Sequence, residues 1–205
     1  MDGIQICSNA LIRLGELPIQ SFDDGTDKAT TCKAVYPIKR DYMLASYPWR
    51  FSMEFMQLSR MTASPTAQWE YQFALPADRV QGGFPEVYSS EAVGARPIRD
   101  YKIVGNVLMT SSDEIWVKYQ YQVDESLWPP YFTELMISVM KAELTLLISD
   151  NQGLDQQNRM EVYGTPTQGG QGGMVGQAMF LDSRDNGTIM VQDFSLINAR
   201  FGGIH

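Results

Sequence analysis

The side chains that most often carry out chemistry are scarce in this sequence, and the few present are poorly arranged for it. His205 is the only histidine among 205 residues. A Ser-His-Asp or Cys-His arrangement needs an imidazole held between nucleophile and acid, so neither is expected. Histidine-based zinc sites fall with it, and Cys7 and Cys32 neither complete a thiolate site nor form a Cys-x-x-Cys pair. The run Gly169-Gly170-Gln171-Gly172-Gly173-Met174-Val175-Gly176 invites comparison with a phosphate-binding loop. It lacks the Gly-Lys-Ser/Thr ending, and no predicted strand leads into it. Asp182, Asn186, Gly187 and Asp193 fall at calcium-loop positions, but Arg184 puts a cation where a ligand oxygen is required. Paired carboxylates suit glycosidase chemistry, and Asp23-Asp24, Asp113-Glu114 and Asp124-Glu125 are candidates by type. Each pair sits beside a predicted turn or element end, where acids serve as caps or solvated charges. The sequence therefore predicts no catalytic residue, no cofactor and no metal site.

Composition narrows the partners. With 16 basic and 24 acidic residues the formal charge is −8, which disfavours tight binding to nucleic acid, because such affinity comes largely from Lys and Arg on phosphates. An acidic wall beside DNA would repel the backbone and let it slide; a negative surface also simply maintains solubility. A hydrophobic share of 44% indicates a folded chain, and no run approaches the roughly 18 apolar residues of a membrane span. Met1-Asp2-Gly3-Ile4 lacks the basic start and apolar stretch of a secretory signal, so the expected setting is intracellular. There the motif Asn186-Gly187-Thr188 has no force as a glycosylation site. Cys7 and Cys32 are then expected as thiols packed on apolar helix faces, with a disulfide or a reactive thiol as the alternatives.

The elements that must position these residues read from periodicity. Ile4, Cys7, Leu11 and Leu14 share one face of a first helix, which Gly15 and Pro18 end. Asp24, Thr26 or Asp27 is placed to cap a second helix with an apolar stripe of Val35, Ile38, Tyr42 and Ala45; Pro37 should kink it and Pro48 stop it. From Trp49 to Val123 the period shortens to two. Phe73 and Leu75 alternate after Trp69, and Ile115, Val117, Tyr119, Tyr121 and Val123 alternate with polar neighbours, predicting a half-buried sheet. Gly105-Asn106 suits a two-residue hairpin of the primed type, and residues 81–97 read as a long loop. The strand aromatics are expected mainly in the core, with carbohydrate or partner contact as the alternative.

Helical spacing returns after Pro129-Pro130, with Leu135, Val139, Ala142 and Leu146 marking the buried face. Residues 151–163 suggest a fourth, shorter helix, 164–173 a flexible Gly-rich link, and 177–181 a further helical turn or two. The segment from Ile189 to Ile204 carries Val191, Phe194, Leu196, Ile197 and Phe201. Such an apolar tail needs a surface to bury it, so these five residues are the candidate assembly interface. The expected fold is α+β: a helical bundle from residues 1–48 and 126–163, an inserted antiparallel β domain over 49–125, and a link and extended C-terminal tail over 164–205.

Five motifs in order resemble the tail tubular protein A family of short-tailed bacteriophages. They are Ile6-Cys7-Ser8-Asn9-Ala10-Leu11-Ile12-Arg13-Leu14-Gly15 with Ile19-Gln20-Ser21, then Tyr47-Pro48-Trp49-Arg50-Phe51, Trp69-Glu70-Tyr71, Leu75-Pro76-Ala77-Asp78, and Trp128-Pro129-Pro130-Tyr131-Phe132. The resemblance covers most of residues 4–150. It implies a structural virion protein of the tail, assembled in the host cytoplasm: a twelve-fold head-to-tail adaptor ring between the portal protein and the tubular nozzle protein. Tail fibres are a further implied partner, and genomic DNA passes through the centre during ejection without sequence-specific binding. The family continues into a long Ala-rich fourth helix, whereas this chain has Gly164, Pro166 and further glycines. A receptor- or carbohydrate-binding β module and a small glycosidase remain as alternatives.

Overall fold

A computed structural model of the chain describes residues 1–63, 68–80, 82–83, 85–92 and 94–184. The candidate interface residues Val191, Phe194, Leu196, Ile197 and Phe201 lie outside these described residues, as does His205. The described chain is mixed α+β, with five helices and two small antiparallel sheets.

Helix α1 spans Gly3–Arg13 and starts on a reciprocal cap: the Gln5 N–H donates to Asp2 Oδ1 at 2.8 Å, and the Asp2 N–H donates to Gln5 Oε1 at 3.2 Å. It buries Ile6, Cys7, Ala10 and Leu11, with Ile4 and Leu14 packed at the edge of the same core. Helix α2 spans Asp27–Ala45, is capped by Thr26 and continues as one element through Pro37. Its buried face is Ala29, Cys32, Tyr36, Met43 and Leu44. Of the stripe Val35, Ile38, Tyr42 and Ala45 expected to be the packing face, Val35 packs at the edge of the core, whereas Ile38, Tyr42 and Ala45 turn outward, Ile38 being 67% and Tyr42 60% exposed. Two apolar stripes compete on this helix, and the one containing Cys32 faces α1.

Helix α3, Pro130–Ser149, opens on its proline as expected and packs against α1, α2, α4 (Gln152–Tyr163) and α5 (Gly173–Arg184). Central placement explains why ten of its residues are buried, but Leu146, expected among them, is 38% exposed near the helix end. Asn158 of α4 is buried and donates to Thr145 Oγ1 at 2.7 Å, so neither polar group loses its partner inside.

The β region builds two sheets that share one core of Leu58, Phe73, Leu75, Val87, Leu108, Ile115, Val117 and Tyr119. The first has the order β1 (Met53–Gln57), β6 (Trp116–Gln120), β3 (Glu86–Tyr88); the second has β2 (Tyr71–Ala74), β5 (Val107–Thr110), β4 (Tyr101–Val104). Strand β3 lies inside the stretch expected to be a loop, where Val87 is fully buried opposite Val117. The β4–β5 hairpin turns at Gly105-Asn106 with Val104 opposite Val107; Gly105 has φ of 60° and Asn106 no positive φ, the combination of a type II′ turn.

Gln120 joins the β domain to the bundle. Its Nε2 donates to the Leu44 carbonyl at 2.7 Å, the Tyr47 carbonyl at 3.0 Å and Ser52 Oγ at 3.0 Å, and the side chain is almost wholly buried. Gln120→Met keeps the shape and removes the donor, leaving the Leu44 carbonyl short of its partner. A loss of about 1–3 kcal/mol is expected in chemical denaturation, whereas an unchanged midpoint would remove this joint from the account.

Candidate functional site

Two of the motifs that carry the sequence resemblance, the one around Trp49 and the one around Trp128, meet where the bundle joins the sheets. Trp49 follows α2 and is fully buried; its indole N–H donates to the Met43 carbonyl at 2.8 Å. Ring centroids lie 4.9 Å apart for Trp49 and Phe132, 4.9 Å for Phe51 and Phe132, and 4.8 Å for Trp128 and Phe132, in edge-on or tilted arrangements that aromatic quadrupoles favour. The Trp128 indole N–H donates to the Val123 carbonyl at 3.1 Å. Ser8 Oγ donates to the Ile19 carbonyl at 2.7 Å, tying the first motif to its second half. Asp78 accepts from Tyr119 Oη at 3.4 Å, and its carbonyl accepts from the Gln122 N–H at 2.9 Å. Glu54 accepts from the same phenol at 3.1 Å. Burial first, then these carboxylates, push the Tyr119 phenol well above its usual range.

The acidic pairs occupy structural places. Asp23 pairs with Lys33 at 2.6 Å and Asp24 accepts from the Gln20 N–H at 2.8 Å. Asp124 caps the short turn Glu125–Leu127, while Glu125 accepts from Tyr36 Oη at 3.2 Å and pairs with Arg40 at 3.3 Å. Asp113 and Glu114 are exposed beside β6. Among the described residues, no group of three or more His, Cys, Asp or Glu side chains is placed to hold a metal ion. Cys7 and Cys32 are buried free thiols in mutual contact; the hydrogen bond they share, reinforced by burial, holds the Cys7 thiol protonated.

The Gly-rich stretch is compact. Tyr163 ends α4, residues Pro166–Gln168 form a single 3-10 turn, and Gln168 Oε1 accepts from the Thr165 N–H at 2.9 Å. The Gly172 N–H then donates to the Tyr163 carbonyl at 3.2 Å, which returns the chain directly into α5. This helix is longer than the turn or two expected, and it buries Val175 and Ala178 in the bundle core. Gly173 begins it with φ of 53°; a Cβ there would collide with the Glu161 carbonyl oxygen and lie 2.8 Å from that of Val162. Gly173→Ala is therefore expected to cost about 1–3 kcal/mol, read as a lower denaturation midpoint. A variant as stable as the parent would mean that α5 does not seat in this way.

At its far end α5 is fixed by Asp182, whose buried carboxylate accepts from Tyr131 Oη at 2.7 Å and from the Arg50 N–H at 3.1 and 3.2 Å. Between α5, the Gly-rich turn and the end of α2 lies a groove of about 280 Å³ lined by Tyr42, Ala45, Tyr163, Gly170, Val175 and Met179. Behind it Glu143 pairs with Lys39 at 3.0 Å and Arg159 at 3.1 Å. Burial, and then the nearby Glu143 carboxylate, push the Tyr163 phenol up to about 12. The groove thus presents the Tyr42 and Tyr163 rings, glycine backbone, apolar side chains and the polar Ser46 and Gln171, which suits packing against a partner surface. Tyr42 and Ala45 were expected only on the packing stripe of α2, and Tyr163 and Met179 carry no signal beyond their place on weakly amphipathic helices.

A second exposed surface lies on the outer face of the β1-β6-β3 sheet. Phe55 is opposite Lys118, which is opposite Glu86; Gln57 is opposite Trp116, which is opposite Tyr88. Phe55 and Tyr88 meet edge-on at 5.6 Å, and Phe55 is 45% exposed.

No protein-family model matches this chain, and no curated protein matches its sequence.

Proposed function

We propose that this chain is the ring-forming subunit of a head-to-tail connector, seated between a portal protein and the tubular nozzle of a short-tailed bacteriophage. The observation that carries this reading is the meeting of two of its motifs. Trp49, Phe51, Trp128 and Phe132, drawn from two distant motifs, form one aromatic cluster at the joint between bundle and inserted sheets. Two motifs about eighty residues apart that pack on one another at this joint support the reading.

On this reading the protein's work is geometric. Twelve copies, each of formal charge −8, surround the axis and line part of the DNA ejection channel with repulsive charge, so DNA slides through without sticking. The C-terminal tail clasps the portal or an adjacent copy, the β domain reaches the nozzle or fibres, and no membrane partner enters. Among the described residues no helix is long and apolar enough to cross a membrane. Mixing the chain with the portal protein encoded alongside it should shift both into one fast-sedimenting complex. Independent sedimentation of the two would defeat the reading.

The outer sheet face favours one second reading, a carbohydrate- or receptor-binding module. Phe55, Tyr88 and Trp116 beside Glu86 and Lys118 supply ring faces and polar groups of the kind that hold sugars. Saturable glycan binding by the isolated chain, lost in Phe55→Ala, would favour it over the connector.

A further inference from the structure

The α2–α5 groove, where Ser46 and Gln171 stand among apolar side chains, and the outward Ile38 and Tyr42 of α2 have no cover among the described residues. Ile38 and Tyr42 are four residues apart, Ala45 three further on, and Tyr42 leads into the groove floor at Gly170 and Val175. The sequence beyond Arg184 holds a matching pattern: Met190, Phe194, Ile197 and Phe201 recur at intervals of four, three and four. Apolar anchors at this spacing are the kind with which a peptide fills a groove.

We propose that residues 190–201 of one copy dock in the α2–α5 groove of the neighbouring copy, an inference that rests on the connector reading for the neighbour's presence. The occupant is argued from where α5 stops. Asp182 ties its last turn to Arg50 and Tyr131, so the chain leaves beyond the groove, past Val175 and Met179, with 21 residues still to come. Residues 185–189 can span roughly 15 Å when extended, so the segment can reach beyond its own copy, and the connector reading sets a neighbour there to receive it. One tail and one groove per copy is a head-to-tail contact, the kind that closes a ring.

The test uses the full chain with a photo-crosslinking phenylalanine analogue at position 194, mixed with a 15N-labelled full chain and illuminated alone and with portal. Crosslinks from unlabelled position 194 to labelled residues 38–46 or 163–179 are expected. Tyr42→Glu in the labelled copy should reduce their yield about tenfold, with an unchanged circular dichroism spectrum showing that the exposed substitution spares the fold. Crosslinks within one copy only, crosslinks to portal or elsewhere, or none at all would overturn the proposal. Electron images of the same samples separate the two claims. Rings on portal without the groove crosslink refute the docking alone; the groove crosslink without rings refutes the connector reading alone.

Discussion

Trp49→Ala is expected to cost about 3–5 kcal/mol of folding stability, among the largest losses available to any single substitution in this chain. The indole is fully buried, its N–H is bonded to the Met43 carbonyl, and it fills the space between Tyr47, Phe51 and Phe132. Removing it opens a cavity at the joint of bundle and sheets and leaves the Met43 carbonyl with Ser46 Oγ, at 2.8 Å, as its remaining side-chain donor. Since a single domain of this size has only about 5–15 kcal/mol in total, the variant should populate unfolded chain at modest denaturant. Chemical unfolding measures this directly, with Phe55→Ala on the exposed sheet face as a comparison expected to change stability far less. Equal midpoints for the two would mean that the aromatic cluster does not organise the joint.

Truncation after Asp185 is expected to separate folding from assembly. The shortened chain keeps every described residue, and α5 stays tied by Asp182 to Arg50 and Tyr131, so its unfolding midpoint should match that of the full chain. It loses Val191, Phe194, Leu196, Ile197 and Phe201, the apolar residues expected to bind. If these are the interface anchors, association with portal or with other copies should weaken about a hundredfold or more, since buried aromatic and aliphatic anchors dominate such contacts. Sedimentation with and without portal reads the change. Undiminished association would remove the tail from the assembly account.

What the sequence disclosed depended on whether local pattern or distant contact decided the structure. Helices α1 and α3 carry their own signals, the apolar spacing of Ile4, Cys7, Leu11 and Leu14 and the Pro129-Pro130 opening, and both form where expected. The alternation from Ile115 to Tyr119 became β6 because one side of that strand faces the sheet core. Strand β3 stayed hidden because its three residues sit among Gly, Pro and Ser and become a strand only through pairing with β6. Helix α2 carried two apolar stripes, and composition could not decide between them; the close contact of Cys32 with Cys7 across α1 shows which was chosen. The Gly-rich turn suggested a flexible link for want of side-chain mass, yet Gln168 and the Tyr163 carbonyl close it through bonds that no local pattern announces. The groove was illegible for the same reason, since its walls come from α2, the end of α4 and α5.

The connector reading is tested most directly by electron imaging of the full chain incubated with purified portal rings. The account predicts an added ring of density coaxial with the portal, continuous around the axis and open at its centre, absent when the chain truncated after Asp185 is used instead. Portal particles unchanged by the full chain, or density bound at one side without closing around the axis, would contradict it.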